Sequence, residues 1–193
     1  MLFRSNGGGG ARPDRDGVSC QDELVVNVMN SPVEAIETEF PVRVERYELR
    51  PDSAGAGKFR GGLGARRVWL GLTEESIINF RTDRFKHSSP GIYGARPAMP
   101  SRARLDPDTP DEKALTSKVA GVRLKKGMRV AFELGGGGGY GNPLERDPER
   151  VRTDVLRGYV TREGARKSYG VALRDDLSID AAATQALRSG AAP

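Results

Sequence analysis

Covalent catalysis and metal binding draw mostly on histidine, cysteine and grouped carboxylates, and this sequence offers few of them. It has one histidine, His87, and one cysteine, Cys20, in 193 residues. Ser–His or Cys–His chemistry would rest on His87 alone. That residue sits in Arg81-Thr-Asp-Arg84-Phe-Lys-His87-Ser-Ser-Pro90, and a lone histidine among bases reads as surface. Cys20 has no base beside it in sequence and reads as inert. One thiol forms no internal disulfide, and with one imidazole it builds no zinc site from this chain alone. Asp106, Asp108, Asp111 and Glu112 are hard-cation ligands by type, but in a proline-rich stretch they read as solvated surface.

What remains is arginine and glycine. The formal charge is +5, and the excess is local. Arg43–Arg104 holds 13 basic and 6 acidic residues, a net of +7, whereas Glu145–Arg188 holds 9 and 8 and nearly cancels. A positive zone of this kind attracts phosphates, carboxylates, nucleic acid or an acidic protein. Gly55-Ala-Gly57-Lys-Phe-Arg60-Gly61 superficially matches a dinucleotide fingerprint. That fingerprint needs a strand before it and a helix after it, and here the next element reads as a strand. The loop therefore reads as a turn with unusual backbone angles. The run Gly135–Gly139 before Tyr140-Gly141-Asn142-Pro143 is more telling. Five glycines lose much entropy on ordering, so their presence between a good strand and a capped helix points to close backbone approach, whether to another chain, a ligand or the core itself.

The scaffold around these residues reads as α+β: a strand-rich centre and a short three-helix C-terminal tail. Asn6–Pro41 reads as mostly irregular, with apolar residues at Leu24, Val25, Val26 and Val28. Val42–Leu49 alternates, and its phase shift predicts a bulge near Glu45–Arg46. Further strands are expected at Arg67–Leu72, Ser76–Arg81, Lys118–Leu124 and Met128–Leu134, with Lys125-Lys126-Gly127 as a tight hairpin. Ser88–Lys113, with five prolines, reads as a long loop. In the tail, Asp147-Pro148-Glu149 opens a helix whose apolar face carries Val151, Val155 and Tyr159. Thr161 caps a second helix through Lys167, stopped near Gly170, and Asp180 caps a third through Arg188. No apolar run approaches the roughly 18–20 residues that a bilayer-spanning helix needs, and Met1–Ser5 leads into Gly7–Gly10 with no apolar signal segment.

Several ordered motifs resemble the hydantoinase B/oxoprolinase family: Asn27-Val-Met-Asn30-Ser-Pro32-Val-Glu34, Phe40-Pro41-Val-Arg43-Val-Glu45-Arg46-Tyr47-Glu48-Leu49-Arg50, Gly55–Gly64, and Gly135–Pro143. The tail is similar too, at Gly158-Tyr-Val-Thr161, Tyr169-Gly170-Val171 and Asp180–Thr184. The resemblance divides the chain into 1–5, which does not match and looks like foreign sequence on a truncated reading frame; 6–144, the mainly β segment; and 145–193, the helical tail. It implies an ATP-dependent enzyme that opens cyclic amides such as hydantoin, 5-oxoproline or lactams, with relatives among acetone and acetophenone carboxylases. ATP and Mg2+ are implied on an A-type partner subunit, with no cofactor evident in this chain. The chain resembles only the C-terminal part of a B-type subunit, so the N-terminal part is a second implied partner. A single cysteine fits a protein of the reducing cytoplasm, and the resemblance implies a chain inactive alone. An anionic phosphorylated intermediate is helped by a positive, water-shielded groove, which makes Asn30, Glu34, Arg43, Arg46, Arg60, Gly137, Gly138 and Tyr140 the candidate substrate- or intermediate-binding residues. Two other readings stay open: a basic module binding an acidic protein or RNA, and a structural domain with no site of its own. Only 6% of residues are aromatic, leaving little for base stacking and weighing against RNA.

Overall fold

The alternating segment Val42–Leu49 forms β1, and its phase shift is a bulge between Val44 and Arg46. In the computed structural model, which describes residues 6–21, 30–74 and 76–190, β1 is the edge of an antiparallel five-stranded sheet. Its order is β1, β2 (Ala65–Gly71), β7 (Arg129–Glu133), β4 (Arg102–Leu105) and β5 (Lys113–Leu115). A separate ribbon pairs β3 (Ser76–Arg81) with β6 (Lys118–Leu124). The ribbon covers one face of the sheet. There Ile36, Val42, Trp69, Leu124 and Val130 form a buried core, and Phe132 receives Trp69 and Phe80 edge-on, with ring centroids 5.7 and 5.0 Å away.

The structure corrects three expectations. The segment before Pro41 is not wholly irregular: Val33–Glu39 is a helix, α1, entered from Pro32 and buried through Ile36 alone. The long loop contains β4, whose two arginines face away from the core while Ala103 and Leu105 pair inward with Phe132 and Val130. Lys125–Gly127 does turn, with Met128 N–H on Lys125 O at 3.0 Å, but it makes no hairpin. Strand β6 pairs with β3, and β7 pairs with β2 and β4, so the turn carries the chain between sheets. Leu24, Val25, Val26 and Val28 lie outside the described residues, as does the opening pentapeptide.

The glycine runs form a layer at the end of the sheet nearest Leu134. Residues 8–17, 53–64, 89–99 and 135–141 lie against one another, joined backbone to backbone. Gly8 and Ala11 N–H donate to Gly135 and Gly138 O (3.1 and 2.9 Å), Gly62 donates to Gly9 O (2.8 Å), Gly55 to Gly137 O (2.8 Å), and Gly137 to Gly62 O (2.9 Å). The close approach foreseen for the five-glycine run is therefore to the protein's own backbone. A Cβ on Gly137 would collide with the carbonyl of Gly9, and one on Gly138 with that of Pro90.

The tail follows its caps. Asp147, Thr161 and Asp180 each accept a backbone N–H at the start of α2 (Pro148–Leu156), α3 (Arg162–Tyr169) and α4 (Ala181–Ser189). Gly170 closes α3 at φ 61°. Val151, Val160, Ala165, Tyr169 and Val171 pack on Ala56 of the glycine layer. Tyr159 lies beyond α2 rather than on its apolar face, and the buried residues of that helix are Val151 and Asp154. No helix among the described residues is long and apolar enough to cross a membrane.

Candidate functional site

Strand register fixes which side chains share the face of the sheet opposite the core. Arg43 lies opposite Leu70, Arg46 opposite Val68, Glu48 opposite Arg66, Arg66 opposite Glu133, and Arg102 opposite Glu133. This outer face is therefore a guanidinium field crossing four strands. Glu133 sits at its centre, 2% exposed. Arg102 and Arg104 donate to its carboxylate (Arg104 at 2.7 Å), Arg66 Nε lies 3.3 Å away and Arg50 Nε 4.0 Å. Burial alone raises the Glu133 pKa, but hydrogen bonds and charge from Arg102 and Arg104 hold it below the ordinary glutamate value. Asp108 bridges Arg66 and Arg104, Glu112 binds Arg104 at 2.6 Å, and Glu45 binds Arg129 at 2.6 Å. Three acids from later in the chain, Asp108, Glu112 and Glu133, thus neutralise part of the excess between Arg43 and Arg104, while Glu45 within that stretch is taken by Arg129. Asp108 and Glu112, weighed above as cation ligands, serve as arginine partners.

A second ionic cluster clasps the glycine layer to the tail. Arg146, 1% exposed, donates to both oxygens of Asp16 (2.7 and 2.8 Å) and to Asp154 (2.8 Å). Arg60 reaches Asp154 at 3.2 and 3.3 Å. Burial opposes the charge on Asp16, yet its Arg146 and Arg150 partners keep its pKa below the usual aspartate value. Burial pushes the Tyr169 hydroxyl well above the ordinary phenol range despite the opposing charges of Arg146 and Arg60. Beside Arg60, a cavity of about 30 Å³ is bounded by Asp52, Leu63, Tyr159, Ser168 and Tyr169. That is the room needed by a water molecule rather than a substrate.

The eight candidate residues do not converge. Arg43 and Arg46 are exposed on β1 at the outer face, and Arg46 lies 3.8 Å from Glu48. Arg60 is buried in the clasp. Gly137 and Gly138 are inside the glycine layer. Tyr140 is half-buried, pairs with Phe59 and Ile92, and stacks at a tilt on Tyr93. Asn30 is exposed and donates to the Tyr47 hydroxyl at 2.6 Å, while Glu34 is exposed in the first turn of α1. His87 is exposed. Among the described residues no three His, Cys, Asp or Glu side chains gather as a metal-ligand set. The residues that organise the charge are Asp16, Asp154 and Glu133, and sequence reasoning did not reach them. One signal existed for Asp154: a carboxylate at i+3 from Val151, inside an otherwise apolar helix stripe.

The comparisons with known proteins agree with one another. The sequence model of the family described as hydantoinase B/oxoprolinase matches residues 2–143. The B-type subunit of a D-/L-hydantoinase from Pseudomonas sp. strain NS671 is 37% identical over 180 residues, covering 93% of this chain. The beta subunit of the caprolactamase of Pseudomonas jessenii is 34% identical over 168 residues, covering 84%. The crystal structure of the ATP-dependent caprolactamase of Pseudomonas jessenii superposes with a TM-score of 0.82 and 30% identity, over 95% of this chain and 32% of that one. The chain spans 30% of the length of the hydantoinase relative and 28% of the caprolactamase relative.

Proposed function

Because this chain belongs to the hydantoinase B/oxoprolinase family, we propose that it is one portion of a multi-subunit, ATP-dependent enzyme that opens cyclic amides, and that it supplies frame and positive potential rather than reacting groups. A ring amide is a poor electrophile. Moving the γ-phosphoryl group of ATP onto the ring carbonyl oxygen converts that oxygen into a leaving group. Water then adds at the carbon, and the ring nitrogen takes a proton and leaves as the C–N bond breaks to give an acyl phosphate. A second water attacks the same carbon, so that phosphate departs with the original ring oxygen. ATP and Mg2+ belong to an A-type companion subunit, and the remaining B-type sequence completes the site. Within this reading the exposed Arg43 and Arg46 help hold an anionic intermediate or partner. Arg60, Gly137 and Gly138 hold the frame, and the assembly works in the cytoplasm.

The observation that carries the reading is the match to subunits of a hydantoinase and a caprolactamase over most of this chain but under a third of theirs. It is supported by how the chain uses its charges: its buried acids Glu133 and Asp154 are committed to arginines, leaving them unavailable as bases. The test is co-expression with the remaining B-type sequence and an A-type subunit, measuring ADP release driven by 5-oxoproline, hydantoin or caprolactam. The expected result is lactam-dependent ADP release by the complemented set and none by the chain alone. ADP release driven only by a ketone with bicarbonate would move the chain to the carboxylase branch. Absence of both association and activity in every cognate set would refute the proposal.

A further inference from the structure

Tyr93 stands where folding alone would not put it. Ile92–Ala95 is a tight turn, closed by Ala95 N–H on Ile92 O at 3.2 Å. Its two central residues, Tyr93 and Gly94, have φ of 54° and 85°. This is the type I′ pattern, which favours asparagine, aspartate or glycine at the first central position. A bulky aromatic there is strained. Burial does not compensate: Tyr93 is 76% exposed and Ile92 49%, and among the described residues the ring of Tyr93 meets only that of Tyr140, in a tilted stack at 5.0 Å.

The turn is also rigidly mounted. Ile92 N–H donates to Gly139 O, Gly141 N–H to Ile92 O, and Arg96 N–H to Ala56 O, at 3.1, 3.0 and 2.7 Å. It is therefore a pre-organised aromatic projection standing on the glycine layer. Its sequence neighbourhood is basic: between Asp83 and Asp106 there is no acid, and of the cations there Arg102 and Arg104 are held by Glu133 while Arg84, Lys86 and Arg96 remain. Arg84, Lys86 and Arg96 are exposed and form no ion pair among the described residues.

A rigid, exposed tyrosine with an isoleucine beside it, in a stretch whose exposed Arg84, Lys86 and Arg96 form no ion pair among the described residues, has the composition of an interface anchor. We propose that the Ile92–Tyr93 turn docks into an apolar pocket, rimmed by carboxylates, on the companion subunit. This rests on the multi-subunit reading above. A second copy of this chain is the poorer occupant, since it would bring like charges together.

The test uses the intact chain and the intact companion subunit of the Pseudomonas sp. strain NS671 hydantoinase, with Kd from titration calorimetry and melting temperature measured in parallel. Tyr93→Asn suits the left-handed turn, so its melting temperature is expected to equal or exceed that of the parent. Its Kd for the companion should rise about 30-fold, the loss typical of a hot-spot tyrosine. Tyr93→Phe should bind within about threefold of the parent, and Arg96→Glu should weaken binding most at low salt. If the parent chain binds and Tyr93→Asn binds as tightly, the docking proposal is overturned and the multi-subunit reading survives. If the parent chain does not bind the companion, either alone or together with the remaining B-type sequence, the docking proposal falls, and the multi-subunit reading is then decided by the complementation test above. If Tyr93→Asn instead dissociates a dimer of this chain in sedimentation, the proposed occupant is wrong.

Discussion

Removing the Asp154 carboxylate tests whether the buried clasp holds the tail to the glycine layer. Asp154 accepts from Arg60 at 3.2 and 3.3 Å and from Arg146 at 2.8 Å. In Asp154→Ala, Arg146 keeps both oxygens of Asp16. Arg60, only 5% exposed, keeps the Gly61 carbonyl and the face of the Tyr159 ring, 5.3 Å away, but has no carboxylate partner and becomes an uncompensated buried charge. Breaking a buried pair from one side costs about 3–5 kcal/mol. A chain of this size loses about 2–4 °C per kcal/mol, so the melting temperature by calorimetry at pH 7 should fall by about 10 °C. Arg60→Met on the Asp154→Ala background removes the orphaned cation, so the double variant should recover on the order of 2 kcal/mol relative to additivity. A fall below about 2 °C in the single variant, or full additivity in the double, would refute the view that this pair is a buried clasp.

Gly137→Ala places a Cβ against the backbone of Gly9 and should cost at least about 3 kcal/mol. Gly10→Ala meets nothing within 4 Å and should stay within about 0.5 kcal/mol of the parent by urea unfolding. Glu133 and Asp16 have folded-state pKa values below their ordinary ones. Their stabilisation is therefore complete above the ordinary carboxylate range and is lost as pH falls below about 4 through those lowered values. The urea midpoint should be flat from pH 8 to 6 and drop in acid, with a smaller drop in Glu133→Gln. Asp180→Ala removes the acceptor for Ala183 N–H at 3.0 Å and should cost about 1 kcal/mol, read as a melting shift of about 2–4 °C.

Local chemistry was legible in the sequence, and long-range chemistry was not. The caps at Asp147, Thr161 and Asp180, the stop at Gly170 and the bulge after Val44 are decided by neighbours within four residues, and each stands where the pattern put it. The glycine run announced a close approach but not its target, because Gly9, Ser53 and Pro90 come from distant segments. Strand β4 escaped notice since Arg102 and Arg104 pair with Glu133, some 30 residues on, rather than with water. Strands β6 and β7 read as one hairpin because a two-strand pattern carries no mark of which sheet each strand joins. The pairing of Arg146 with Asp16 spans 130 residues and leaves no local trace at all. The charge count was incomplete for the same reason: Arg43–Arg104 is strongly basic as a sequence, but Asp108, Glu112 and Glu133 fold back onto its arginines.

If this chain completes a ring-opening enzyme without performing chemistry by itself, the route of one oxygen atom reveals it. An 18O label in the ring carbonyl of 5-oxoproline, hydantoin or caprolactam follows the proposed path directly. With the complete assembly, one labelled oxygen is expected in each phosphate released, with no labelled phosphate when this chain is withheld and no turnover by this chain alone. Unaided turnover by the purified chain, or labelled phosphate at an undiminished rate without it, would contradict that role.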